Sequence, residues 1–183
     1  MTEIREKIGY ISLGILSITA IITVILLGPM EQSEEYHIFC DAEMLIGINN
    51  FWNVVSNLPF LIVGILGIVQ MKNIEKYNLE YKIFFIGVSL IAIGSGYYHL
   101  DPNNKTLVWD RLPITVAFMS LFSIVISEFI NYKYGKKLFL PALLIGTLSV
   151  VYWVFFDDLR IYGLVQFYPI ISIPIIITFI NPK

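Results

Sequence analysis

Six stretches of roughly twenty apolar residues fill this chain of 183 positions and leave no room between them for a soluble domain. An apolar run of about twenty residues is the length at which a helix crosses the hydrocarbon of a bilayer. The first run is GYISLGILSITAIITVILLG, and the six predicted spans lie at about 8–28, 51–71, 83–100, 113–132, 138–156 and 161–180. Lipid offers the backbone no hydrogen-bond partner, so only helices and closed barrels span it. Barrel strands read as ten-residue alternations, whereas these runs are continuously apolar. The expected fold is therefore all-α, a polytopic membrane helical bundle forming a single domain over residues 1–183.

Composition agrees. The chain is 57% hydrophobic and 14% charged, with mean hydropathy +0.75, against about 25% charged residues in soluble domains. A net charge of -2 with no basic cluster argues against nucleic acid as a partner. The single cysteine, Cys40, excludes an intrachain disulfide and a Cys-only zinc site. The head MTEIREK mixes charges and no A-x-A cleavage pattern follows, so the first run reads as a retained span.

Lys and Arg set the expected sidedness. Arg5, Lys7, Lys72, Lys76, Lys82, Lys133, Lys136, Lys137 and Lys183 fall on one side; Lys105, Arg111 and Arg160 fall on the other. The positive-inside bias then places the amino terminus in the cytoplasm. The acidic loop, His99, Asp110 and the FFDDLR turn face the outer side.

Polar residues near helix ends in lipid are costly unless they pair, meet water or bind something. In GSGYYHLDPNNKTLVWDRLP, residues 94–113, Ser95 and His99 stand four apart and share a helix face. Two readings are open: a metal-ligand histidine with a hydroxyl beside it, or a histidine capping a span. Spacing alone favours the second, because a catalytic zinc usually takes three protein ligands. Asp110 suits a general base, an orienter of His99 or a helix N-cap. Pro113 suits the first turn of the fourth helix. Asn50, Asn53 and Asn57 suit one face of the second helix, where amides bond between helices. Asp157, Asp158 and Arg160 read as solvated turn residues, with pairing among them left open, Gln166 as a packing contact, Glu128 as a snorkelling side chain and His37 as exposed.

Taken together, NNFWNVVSNLPFLIVGILG, GSGYYHLDPNNKTLVWDRLPITVAFM and, more weakly, GTLSVVYWVFFDDLRIYGLVQFYP resemble the alkaline ceramidase family. That family sits in a wider superfamily with the adiponectin-receptor-like proteins, and the likeness is closest to bacterial ceramidase-domain proteins. It covers roughly residues 40 to 170. The specific part is G-S-x-x-x-H at a helix end with an aspartate eleven residues beyond the histidine. The resemblance implies an integral-membrane, zinc-dependent hydrolase that splits the amide bond of ceramide or another N-acyl lipid. It makes His99 a zinc ligand, Asp110 the residue that orients or deprotonates the attacking water, and Ser95 a group that polarises the water or the developing oxyanion.

Two features depart from the family pattern. A glutamate of the eukaryotic members' calcium site is replaced by Asn50, leaving Asp41 and Glu43 as the candidate calcium residues. The late H-x-x-x-H pair that supplies the other two zinc ligands is missing, and relatives continue through about two more helices. The expectation is a hydrolase-like chain that lacks the carboxy-terminal part of its site and turns over little lipid alone. A second polypeptide bringing the missing ligands would complete it. The alternative is a non-enzymatic lipid-binding or receptor-like membrane protein.

Overall fold

The computed structural model describes residues 2–71 and 78–182, without the side chains of Thr2 and Asn78. Lys72, Lys76 and Lys183, used above for sidedness, lie outside the described residues. The helices are α1 (Thr2–Leu26), α2 (Phe51–Val55), α3 (Leu58–Gln70), α4 (Asn78–Leu100), α5 (Asn104–Val125), α6 (Tyr132–Phe156) and α7 (Arg160–Phe179). A 3-10 turn covers Glu34–His37, and a π-helical turn at Ile126–Ile130 prolongs α5. Six helical stretches, with α2 and α3 counted together, are long and apolar enough to cross a membrane. The all-α expectation holds: among the described residues the β-structure is one isolated bridge, Leu45 with Ile48.

The boundaries moved where polar residues turned out to be helical. Asn131 caps α6 by accepting from the backbone N–H groups of Lys133 and Tyr134, so this helix begins six residues before its apolar run. The second span is interrupted between α2 and α3, where Pro59 in the first turn of α3 has no N–H to give the preceding helix. There Asn57 Nδ2 donates to the Asn53 carbonyl at 2.7 Å, a local bond rather than an interhelical one.

The chain divides into two compact units, residues 1–30 with 118–183, and residues 31–117. In the first, Val125, Ile176 and Ile180 form a buried apolar cluster against Leu13 and Ile173. Ser17 Oγ and the Tyr168 hydroxyl share a hydrogen bond of 2.7 Å. Beside that pair opens an apolar cavity of about 260 Å³, walled among others by Ile21, Met119, Leu138 and Val165. Ile15, Ile18, Ile22 and Ile25 of α1 are exposed, a surface suited to lipid rather than water.

The FFDDLR turn is solvated only in part: Asp157 is exposed, whereas the Asp158–Arg160 pair is turned inward. Asp158 is 2% exposed and pairs with the Arg160 guanidinium at 2.7 Å. It also accepts from the Tyr152 hydroxyl at 3.3 Å and from the Met30 and Arg160 backbone N–H groups. Arg160 Nη1 donates to the carbonyls of Val24, in the last turn of α1, and of Leu27, just beyond it. Hydrogen bonds from Arg160 hold the Asp158 carboxyl well below the usual carboxylate range, against the opposing effect of burial. A depressed folded-state value contributes stability that is complete above the unfolded value of about 3.9 and is lost as pH falls through the folded one. Asp158→Asn is therefore expected to lower the thermal midpoint at neutral pH, with the gap to the parent closing below about pH 4. Melts in detergent across pH check this; a gap that does not change with pH would count against the pairing.

In the second unit α3 lies directly on α4. A Cβ on Gly67 would stand 2.1 Å from the Phe85 ring, so glycine is what lets the helices approach this closely.

Candidate functional site

The GSGYYHLDPNNKTLVWDRLP stretch forms a helical hairpin, α4 into α5, with only Asp101–Asn103 between them. The fourth span was expected to start near Pro113, but it starts at Asn104. Asn103 is the true cap: its Oδ1 accepts from the N–H groups of Lys105 (2.9 Å) and Thr106 (3.1 Å). Thr106 Oγ1 accepts in return from the Asn103 N–H at 3.2 Å, the reciprocal arrangement of a capping box. Asp110 and Arg111 are thereby helical and buried, at 9% and 5% exposure, rather than loop residues or caps.

Pro113 then lies inside α5. It has no N–H for the carbonyl of Trp109 four residues earlier. That carbonyl faces Gly94 of α4, where an added Cβ would stand 2.0 Å from the oxygen. The contact puts the last turns of α4 against the first turns of α5. It brings the expected residues together: the buried Ser95 side chain is a neighbour of the Asp110 carboxylate, and His99 lies within electrostatic reach of the same carboxylate and of Asp41.

His99 is held by its surroundings rather than by its ring nitrogens. Its ring packs on Phe39 at 4.8 Å and on Tyr98 at 5.2 Å between centroids. Its backbone carbonyl accepts from Asn50 Nδ2 at 2.7 Å. Asn50, in left-handed conformation (φ 48°) just before α2, thus joins α2 to the end of α4. His99 Nδ1 is buried with no hydrogen-bond partner. Such an atom is costly to bury unless something binds it, and a metal is one ligand that suits it.

The remaining donors do not assemble a whole metal site. Among the described residues no three His, Cys, Asp or Glu side chains stand where one ion could be held. Asp41 spends both oxygens on backbone N–H groups, of Glu43 at 3.2 Å and Asn53 at 2.9 Å. Glu43 accepts from the Trp52 indole at 3.2 Å. These two carboxylates act as local braces around the turn before α2.

His37 is not the exposed loop residue that its acidic neighbourhood implied. It is half-buried, with Nδ1 2.9 Å from the Tyr98 hydroxyl and Nε2 3.0 Å from Asn104 Oδ1. Tyr36 stacks on Tyr98 with centroids 6.5 Å apart, and Arg111 lies over the Tyr36 ring. Arg111 also donates to the buried Gln32 side chain. Gln32, His37, Phe39, Tyr98 and Asn104 had no sequence signal, since nothing in their spacing links residues 32–39 to the α4–α5 hairpin.

A family model described as Ceramidase matches residues 36–181, most of the chain, including Ser95, His99 and Asp110. The chain belongs to the ceramidase family. It is a multi-pass integral membrane protein of that family, with the six membrane-length helices described above. It is similar to mouse alkaline ceramidase 3, with 26% identity over 164 residues, 85% of this chain and 59% of the mouse protein. It is similar also to an alkaline ceramidase of Arabidopsis thaliana, with 25% identity over 93 residues, 51% of this chain and 36% of the plant protein. This ceramidase-family chain thus spans less than two thirds of the length of these curated relatives. No solved structure matches it.

Proposed function

We propose that the chain carries part of the active site of a zinc-dependent hydrolase that cleaves the amide bond of ceramide or another N-acyl lipid. The observation that carries the reading is the meeting of Ser95, Asp110 and the unpartnered Nδ1 of His99 in one buried corner. The relatives' printed names, alkaline ceramidases, support the substrate class. His99 would hold the metal. When bound, zinc lowers the pKa of a water towards about 7 and polarises a carbonyl. Ser95, beside Asp110, would donate to its carboxylate and fix it, leaving the other acceptor positions of that group to orient a water and take its proton. One imidazole does not retain a catalytic zinc, and the chain's other histidine is committed elsewhere. The remaining ligands would therefore come from outside these residues, on a further segment or a second polypeptide.

The test is release of fatty acid from ceramide, and from simpler N-acyl amides, by the purified chain with and without zinc. The expected result is little turnover by these 183 residues alone and zinc-dependent turnover once the missing ligands are supplied. Hydrolysis that is indifferent to zinc would overturn the reading. A second reading, lipid binding without chemistry, draws on the apolar cavity of about 260 Å³ beside Ser17 and Tyr168. It predicts lipid binding that survives His99→Ala.

The distribution of Lys and Arg supports a cytoplasmic amino terminus, with the site towards the opposite face. Cys40, exposed and the chain's one cysteine, reports this directly. A membrane-impermeant maleimide is expected to label it from the non-cytoplasmic face of sealed vesicles. Labelling only in inverted vesicles would reverse the assignment.

A further inference from the structure

We infer that His37 is a positioning residue for His99, acting through a hydrogen-bond clamp across the mouth of the α4–α5 hairpin. The clamp rests on the zinc reading for its purpose but on its own geometry for its existence. Its direction can be worked out from one end. Asn104 Nδ2 donates to Glu34 Oε1 at 3.3 Å, which turns Asn104 Oδ1 towards His37. An amide oxygen only accepts, so His37 Nε2 carries the hydrogen. In the uncharged ring Nδ1 is then an acceptor, and the Tyr98 hydroxyl donates to it. Tyr98 to His37 to Asn104 to Glu34 is thus a chain in which every donor meets an acceptor.

What this chain joins is specific. Tyr98 sits in the last turn of α4 and Asn104 at the first position of α5. His37 therefore ties together the two helix ends that pair Ser95 with Asp110. Tyr98 is 2% exposed and its ring packs on the ring of His99. Phe39, two residues beyond His37, covers the His99 ring as well. The segment carrying His37 and Phe39 so fixes His99 on two sides, by Tyr98 and by Phe39. A ligand whose ring is fixed in advance binds a metal with less loss of freedom, and removing such outer support costs about ten- to a hundredfold in metal affinity.

The chain's two histidines make the test direct. With ring-¹⁵N-labelled histidine, the detergent-solubilised chain is expected to show His37 as the Nε2–H tautomer and one sharp set of His99 signals. Excess zinc, bound only weakly without the missing ligands, should shift the His99 signals and not those of His37. In His37→Ala the His99 signals are expected to broaden or divide, and zinc affinity to fall about tenfold. His37→Gln, which offers one acceptor and one donor on a planar group, should restore both. If His37→Ala impairs folding, Tyr98→Phe takes its place: it removes one hydroxyl, and should change the His37 Nδ1 shift together with the His99 lineshape. Unchanged His99 signals in these variants overturn the clamp. Absence of any zinc effect on His99 once the missing ligands are supplied overturns the zinc reading instead, and leaves the clamp to be judged on tautomer and lineshape.

Discussion

Alanine at position 99 is expected to leave the protein without retained zinc and without zinc-dependent hydrolysis. The chain has two histidines, and both ring nitrogens of His37 are engaged with Tyr98 and Asn104. His99 Nδ1 is the buried imidazole nitrogen still seeking a partner. Losing one of about three ligands from a catalytic zinc site removes the tight binding and with it the activated water. The measurement is metal content after gel filtration in a chelator. It is made on whichever form retains zinc, the 183-residue chain or one extended along its gene. His37→Ala run in parallel should keep zinc with weakened affinity, separating loss of a ligand from loss of its support. Stoichiometric zinc in His99→Ala would mean that ligands other than this histidine hold the metal.

The second large effect is expected at Gly94. An alanine there places its Cβ 2.0 Å from the Trp109 carbonyl oxygen and 2.8 Å from the carbonyl carbon, both backbone atoms that cannot swing aside. The helices must part instead. Overpacking of this kind costs about 1–3 kcal/mol of stability. A displacement of about 1 Å between Ser95 and Asp110 costs hydrolysis on the order of a hundredfold. Gly96 is the internal control, two residues on in the same helix, with no atom within 4 Å of an added Cβ. Gly96→Ala should stabilise by about 0.5–1 kcal/mol through helix propensity alone. Equal tolerance of alanine at the two positions would show that close approach at Gly94 does not set the geometry of the site.

The six spans were legible because lipid imposes one length and one polarity on whatever crosses it. Where a helix continued past its apolar run, that rule was silent. NKTLVWDR is polar enough to read as loop, and Pro113 offered a plausible helix start. The helix begins nine residues earlier because Asn103 and Thr106 satisfy its first N–H groups, and because Gly94 leaves room for the carbonyl that Pro113 cannot bond. Ser95, His99 and Asp110 could be named from one contiguous motif. The supporting residues could not, since His37 and Phe39 reach the hairpin from some sixty residues away and Asn50 from forty-nine. Long-range pairings of single polar residues leave no periodicity to read. The pairing of Asp158 with Arg160 was open from their closeness in sequence, but its burial was not: a charge in a turn is usually solvated, and its partners Met30 and Tyr152 are apparent only in the folded chain.

The Arg160 clamp has a consequence for how the chain is made. Synthesis delivers α1 to the membrane first, and its terminal carbonyls at Val24 and Leu27 have to wait more than a hundred residues for the guanidinium that satisfies them. Until α7 enters, the first helix lacks the partner that ties down its end and is open to other proteins. Insertion of the last described helix is then the event that ends this interval, joining the oldest and youngest parts of the nascent chain. A ribosome stalled before residue 160 should leave α1 open to crosslinking by insertion factors, and one stalled well beyond α7 should not.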